Sequence, residues 1–77
     1  MFLKNIFCER VKELRISHNL TQKKLGSMIN MSGNTISMIE NKERAASIEV
    51  IYSLADYFNV SIDYLVGRTD NPDINKI

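Results

Sequence analysis

The fold is decided by residues 20–41, LTQKKLGSMINMSGNTISMIEN, where two short helical patterns are separated by a break of about three residues. Thr21 and Ser32 are good N-cap residues for the two patterns. Asn30, between them, can adopt the left-handed backbone conformation that ends a helix. This spacing predicts two helices joined by a tight turn, Thr21–Ile29 and Ser32–Asn41.

Upstream of this pair, Phe7, Val11 and Leu14 lie at helical spacing on one face, which predicts a first helix over about residues 4–18. Gly26, in the middle of the second helix, is a poor helix former and needs a packing reason. We expect the close approach of another helix to supply that reason.

Downstream, Ser47 and Ser61 are placed to cap a fourth helix and a short fifth one, which Gly67 closes. The sequence therefore predicts an all-α domain over residues 1–67, followed by a flexible tail over residues 68–77. The buried face of the fourth helix is predicted to consist of Ile48, Ile51, Ala55 and Phe58.

The composition limits what this chain can be. Its 77 residues are 44% hydrophobic and 25% charged, as expected of one small folded domain without room for a large core. The single cysteine, Cys8, excludes a disulfide within a monomer. One cysteine and one histidine, His18, cannot by themselves form a four-ligand zinc site. We therefore predict no metal and no cofactor, and expect stability to come from helix packing or dimerisation.

Targeting signals are not apparent in the sequence. No stretch approaches the ~20 apolar residues needed to cross a bilayer. The first five residues, MFLKN, lack the continuous apolar region of a signal peptide. We expect a cytoplasmic protein with no membrane partner and a reduced thiol.

Charge is unevenly divided along the chain. Residues 1–46 carry eight Lys or Arg against four acidic residues, whereas residues 47–77 carry two against five. Such segregation favours a protein whose first part faces a polyanion. The simpler interpretation is that Lys23, Lys24 and Lys42 only form a solvated face.

Four strings within the decisive stretch are more specific than its spacing: LTQKKLG at 20–26, MS at 31–32, TIS at 35–37 and IEN at 39–41. Together they resemble the XRE-type helix-turn-helix family of phage repressors and Cro proteins. The resemblance runs from VKELR at residues 11–15 to VSIDYLVG at residues 60–67. It implies a five-helix, phage-repressor-like DNA-binding domain that acts as a dimer on a partly palindromic operator.

The resemblance also implies which residues read bases, on the outer face of the third helix: Gly33, Asn34, Ser37 and Met38. An α-helix fits the major groove of B-DNA. Asn34 can make two hydrogen bonds to adenine, whereas Met38 can make only apolar contacts, for example with a thymine methyl. With one bidentate candidate, specificity is expected to be modest or to depend on DNA shape.

Phosphate contacts are expected from residues around this helix pair, namely Gln22, Lys23, Thr35, Asn41, Lys42 and Arg44. Such contacts position a protein without reading sequence. The family usually has glycine and often proline where this chain has Lys42 and Ala46, which leaves the shape of the loop open. Arg15 and Glu40 match positions that commonly pair across the first and third helices, and this implies a structural ion pair.

Several other side chains have structural interpretations. Met28 and Met31 are predicted to be core, unlike Met38, and Cys8 to be a packed thiol. His18 is expected to interact with the C-terminal end of the first helix. A further apolar group either covers the acidic half of the chain or forms a dimer interface, namely Tyr52, Tyr57, Tyr64 and residues 62–66.

Taken together, these features favour a homodimeric, sequence-specific transcriptional regulator, in the first instance a repressor, whose partner is double-stranded DNA. The alternative is an antitoxin that represses its own operon and binds a toxin; an anti-repressor is another protein partner considered. A protein-interaction module without DNA binding is a third hypothesis, against which Gln22, Asn34 and the basic loop argue. An enzyme is not expected, because one histidine and one cysteine cannot assemble a nucleophile, a base and an orienting acid.

Overall fold

The computed structural model describes residues 4–43 and 45–74. These residues form five helices and no strand: α1 (Lys4–Ser17), α2 (Gln22–Met28), α3 (Gly33–Glu40), α4 (Ile48–Phe58) and α5 (Ile62–Leu65). The predicted all-α fold of five helices is confirmed. None of the helices in this described part is long and apolar enough to cross a membrane.

Hydroxyl side chains start four of the helices. In each case the side-chain oxygen accepts a hydrogen bond from the backbone N–H three residues later, and the residues concerned are Thr21, Ser32, Ser47 and Ser61. Each bond satisfies one of the amides that a helix start leaves open. The helix starts predicted from these residues are confirmed.

The helices also end alike. The residue that follows the last turn has a positive φ in every case, at Asn19, Asn30, Lys42, Asn59 and Gly67. At the end of α2, for example, the Met31 N–H donates to the Gly26 carbonyl oxygen at 2.7 Å. This six-to-one bond is the mark of a Schellman motif, which satisfies carbonyls that the helix end leaves open.

The core draws one fully buried residue from each helix: Val11, Leu25, Ile36, Leu54 and Leu65 are all 0% exposed. Cys8 is packed in this core and Met31 packs against it, as predicted. The His18 ring lies 4.9 Å from the Phe58 ring. Its Nδ1 is 2.9 Å from the carbonyl oxygen of Leu14, at the C-terminal end of α1 where an interaction was expected.

Two core predictions are wrong. Ile48 is 69% exposed, because the inward face of α4 is centred on Leu54 and Phe58 and Ile48 lies at its margin, in the first turn. Met28 is 45% exposed, because Leu25 fills the inward position of the short helix α2 and Met28 lies at its last turn. Both predictions rest on helical spacing alone, which does not determine where the core-facing side of each helix is centred.

The segment after α5 contacts the body of the domain through Arg10. The Arg10 guanidinium lies 4.1 Å from the centre of the Tyr64 ring and donates to the Tyr64 carbonyl. It also donates to the Thr69 carbonyl oxygen and to Asp70 Oδ1, both at 2.7 Å. The domain boundary at residue 67 and the flexibility of the tail stay predictions.

Gly26 has a packing reason of the kind expected. A Cβ at this position would lie 2.6 Å from the Met31 carbonyl oxygen and 2.9 Å from the Ser32 carbonyl carbon. Both are backbone atoms of the turn between α2 and α3, so neither can move without moving the turn. The neighbour that requires glycine is thus the turn that leads into α3.

Gly26→Ala is expected to destabilise the domain by about 1–3 kcal/mol, because the added methyl overpacks this turn. Helix propensity alone predicts instead that Gly26→Ala stabilises the domain by up to ~1 kcal/mol. Urea unfolding of the wild type and Gly26→Ala decides between them, with Ser27→Ala as the control at an exposed neighbouring position. Stabilisation by Gly26→Ala would contradict the close approach.

Candidate nucleic-acid interface

The start of α3 lies directly on the start of α2. A Cβ on Gly33 would be 2.8 Å from Lys23 Cα and 3.0 Å from Lys23 N. Packing alone therefore accounts for glycine at this position. Gly33 is half-buried, so it has only backbone atoms to present to DNA.

The outer face of α3 carries two rows of side chains, with Asn34 exposed and Ser37 and Met38 half-buried. Asn34 Nδ2 lies 3.7 Å from Met38 Sδ, and Asn41 Nδ2 lies 3.4 Å from Ser37 Oγ. Residues four apart in a helix lie above one another on one face. The structure thus places the three side chains predicted to contact bases on a single accessible surface.

The contacts within this surface are weak enough to be exchanged for contacts with a ligand. Thioether sulfur is a poor acceptor, so the contact between Asn34 and Met38 is easily replaced. A distance of 3.4 Å between Asn41 and Ser37 is long for a hydrogen bond. Both amides are therefore available to donate and accept hydrogen bonds outside the protein.

A cleft of about 700 Å³ borders this surface, and Gln22 and Lys23 line it together with Asn34 and Ser37. Two of the residues predicted to contact phosphates are thereby placed beside two of those predicted to contact bases. Ser27 and Ser32 line the cleft as well. Sequence reasoning did not select them for contact, because serine is equally common as a helix cap and on exposed turns.

Three more of the residues predicted to contact phosphates lie on the α3 side of the surface, namely Thr35, Asn41 and Lys42. Asn41 and Lys42 are exposed at the end of α3. Thr35 is half-buried, and its Oγ1 lies 2.9 Å from Ser32 Oγ. Arg44 lies outside the described residues.

A buried carboxylate fixes the end of α3. The Glu40 side chain is 2% exposed and accepts hydrogen bonds from Arg15 Nε at 2.7 Å and Arg15 Nη2 at 3.1 Å. Gln22 Nε2 donates to the same carboxylate at 3.1 Å, and Arg15 Nη1 donates to the Leu20 carbonyl oxygen at 2.8 Å. The ion pair implied between Arg15 and Glu40 is present, and Gln22 extends it to α2.

Gln22 therefore joins the buried network to the exposed surface. Its Nε2 carries two N–H groups, and the bond to Glu40 uses one of them. The second remains able to donate to an anion at the cleft. One side chain can thus hold α2 against α3 and contact a ligand at the same time.

Comparison with known proteins agrees with this geometry. The helix-turn-helix family model matches residues 11–65, a span that includes all of α2, α3 and α4. The chain belongs to the helix-turn-helix family. The family resemblance inferred from the sequence is confirmed.

Relatives of this helix-turn-helix chain include an uncharacterised HTH-type transcriptional regulator, YobD, from Bacillus subtilis. The two are 31% identical over 68 residues, which cover 88% of this chain and 61% of YobD. Antitoxin PezA from Streptococcus pneumoniae is 36% identical over 60 residues, which cover 78% of this chain and 38% of the antitoxin. The chain thus spans less than two thirds of the length of these relatives.

A solved structure similar to this helix-turn-helix chain is the P22 c2 repressor protein in complex with a synthetic operator. The TM-score is 0.75 at 30% sequence identity, over 79% of this chain and 92% of the repressor chain. YobD is named as a transcriptional regulator and the P22 c2 protein as a repressor, in agreement with the prediction that the chain is not an enzyme.

Lys42, where the family resemblance implies glycine, has a left-handed backbone conformation. Its φ is 65°, and its N–H donates to the Ile39 carbonyl oxygen at 3.1 Å. The Glu43 N–H donates to the Met38 carbonyl oxygen at 2.8 Å, which completes the Schellman motif. The turn thus has the left-handed residue typical of a Schellman motif, and in this chain that residue carries a lysine side chain.

Glu40→Gln is expected to destabilise the domain by about 3–5 kcal/mol, because it leaves the Arg15 charge without its partner in a half-buried site. The double variant Arg15→Met, Glu40→Met should recover most of that loss, since two apolar side chains replace the pair. Chemical unfolding of Arg15→Met, Glu40→Met and the double variant completes the cycle and measures the coupling. Additive losses would contradict an energetically linked pair.

Lys42→Gly is expected to stabilise the domain by roughly 0.5–1 kcal/mol. The backbone strain of a lysine with positive φ in the folded state exceeds the conformational entropy that glycine adds to the unfolded chain. Lys42→Ala removes the same charge without relieving the conformation, so it should give no gain. Thermal unfolding of both variants checks this. Equal stabilities of the two variants would contradict strain at position 42.

Proposed function

We propose that this chain is a sequence-specific DNA-binding transcriptional repressor, two copies of which bind a palindromic operator with α3 in the major groove. The observation that carries the proposal is the accessible surface formed by Asn34, Ser37 and Met38 on a helix whose opposite side is buried. The Glu40 network holds the end of that helix. A helix with a fixed position and varied side chains on its outer face is suited to reading base edges in the major groove.

The roles proposed for these side chains follow from their chemistry. Asn34 pairs with an adenine through two hydrogen bonds, and Ser37 donates to or accepts from a base edge. Met38 contacts a thymine methyl. Gly33 contributes only its backbone, because Lys23 occupies the space that a side chain would need.

Phosphate contacts are proposed around this row. The second N–H of Gln22 and the exposed ammonium groups of Lys23 and Lys42 are placed for them. Thr35, Asn41 and Arg44 complete the proposed set. These contacts set the register of α3 in the groove, and they make affinity depend on salt.

Two copies are proposed because one α3 reads too little sequence alone. One bidentate contact discriminates by ~1–3 kcal/mol. A specific site typically exceeds non-specific binding by ~4–10 kcal/mol. A pair of copies on two half-sites doubles the base contacts. The similarity to a repressor solved in complex with an operator supports both the DNA ligand and the sign of regulation.

An antitoxin that represses its own operon is the second candidate, and the similarity to antitoxin PezA favours it. In that case a neighbouring gene would be toxic when expressed alone and harmless when expressed with this chain. Absence of any such gene product would leave the simple repressor.

The proposal is tested by selecting binders from a random duplex DNA library at near-physiological salt. Enrichment of a two-fold symmetric site is expected, with half-site centres about 34 Å apart, one turn of the double helix. Enrichment of one asymmetric site bound by a monomer would contradict the dimeric proposal. Failure to enrich any site would contradict sequence-specific binding.

On the selected site, Asn34→Ala is expected to lower affinity by roughly 5- to 150-fold per half-site while affinity for random duplex stays nearly unchanged. Lys42→Ala should weaken both by a similar factor and reduce the slope of log affinity against log salt by about 1 per copy. Fluorescence anisotropy at several salt concentrations measures both variants. Equal losses on both DNAs for Asn34→Ala would show that Asn34 reads no base.

A further inference from the structure

The Met38 thioether lies beside the amide that is proposed to read adenine. Asn34 Nδ2 is 3.7 Å from Met38 Sδ, and the two residues are four apart on the outer face of α3. Asn34 is exposed and Met38 is half-buried. The sulfur is therefore within reach of small oxidants, on the surface where DNA is proposed to bind.

Oxidation changes what this sulfur can do to its neighbour. A thioether is a weak acceptor, so it leaves the Asn34 amide able to exchange partners. A methionine sulfoxide is polar, and its oxygen is a strong hydrogen-bond acceptor. Rotation about the last bonds of the Met38 side chain can bring that oxygen to the ~2.9 Å of a normal hydrogen bond from Asn34 Nδ2. The weak contact of the reduced side chain then becomes a strong one.

We propose that Met38 is an oxidation site that switches off base reading by Asn34. This inference rests on the proposed function, because it concerns the same surface of α3. Bidentate pairing requires Oδ1 and Nδ2 of Asn34 to turn together towards one adenine, and the bond to the sulfoxide restrains that rotation. The polar sulfoxide also replaces the apolar group that is proposed to contact a thymine methyl.

The oxidation step is the transfer of one oxygen atom from a peroxide. The terminal peroxide oxygen forms a bond to Met38 Sδ while the O–O bond breaks. The second oxygen takes up the proton of the first and leaves as water, or as an alcohol when the peroxide is organic. The sulfide is oxidised and the peroxide is reduced. Methionine sulfoxide reductases reverse the change, so the chain can return to its reduced state.

The other sulfur atoms of the described residues are placed differently. Cys8 is 2% exposed in the core, and Met31 is half-buried and packs against that core. Met28 is 45% exposed, but it lies at the last turn of α2 and belongs to neither proposed set of DNA contacts. Met28 is thus an accessible methionine with which Met38 can be compared.

The first test needs no DNA. The chain labelled with ¹⁵N is treated with hydrogen peroxide until mass spectrometry of its peptides shows Met38 as the sulfoxide. The side-chain amide signals of Asn34 are expected to shift and to exchange with water more slowly. In Met38→Leu, treated in the same way, these signals should stay where they were. Unchanged Asn34 signals in the oxidised wild type would overturn the proposal.

The second test measures affinity for the selected DNA site before and after oxidation, by fluorescence anisotropy. Oxidation of the wild type is expected to lower this affinity roughly 5- to 150-fold per half-site, the range for loss of one bidentate contact. Affinity for random duplex should stay nearly unchanged. Treatment with methionine sulfoxide reductases should restore the wild type.

Three variants locate the effect. Met28→Leu is the matched control and should lose as much affinity on oxidation as the wild type, because Met38 is still present. Met38→Leu, compared only with itself before treatment, should lose little, because peroxide does not oxidise leucine. In Asn34→Ala, oxidation should cost clearly less than in the wild type, because the amide through which the sulfoxide acts is absent.

Each contrary result overturns the proposal. Equal losses in the wild type and Met38→Leu would assign the effect to another residue, and equal losses in the wild type and Asn34→Ala would exclude a route through the amide. An operator affinity that oxidation leaves unchanged would exclude the switch itself. If the reduced chain selects no DNA site, the proposed function fails, whereas the Asn34 signals still report whether the sulfoxide binds the amide. The two failures are therefore distinguishable.

Discussion

The Glu40 carboxylate accepts hydrogen bonds from Arg15 at the end of α1 and from Gln22 at the start of α2, and its side chain is 2% exposed. Burying a carboxylate is costly, and only a geometry that satisfies its oxygens makes the burial tolerable. Small displacements of α3 would break these bonds. The pair therefore contributes less through net stability than through the single position it allows for α3.

Most helix starts can be predicted from the sequence, but the side of each helix that faces the core is harder to predict. The starts of four helices follow from a hydroxyl residue at each N-cap, a local signal that no distant contact overrides. The exposure of Ile48 and Met28 could not be predicted, because both lie at helix ends where the neighbouring elements decide burial.

Some contacts of the candidate site could be predicted from the sequence, and others could not. The family resemblance implies the pairing of Arg15 with Glu40, whereas the close approach of Gly33 to Lys23 is visible only in the folded structure. The hydrophobic periodicity of a sequence does not show that the backbones of two helices are in contact. The hydrogen bonds from Arg10 to residues 69 and 70 join positions about sixty residues apart in the chain. No local sequence pattern predicts so distant a contact.

Each of the five helices in residues 4–43 and 45–74 ends at a residue with positive φ, but only at Gly67 is that residue glycine. Asparagine at three of the other four positions tolerates this conformation and restricts the unfolded chain more than glycine would, so less backbone entropy is lost when each of these turns forms. The turn at Asn30 sets the angle between α2 and α3. That angle is thereby established before any ligand arrives, and association need not include the entropic cost of ordering it.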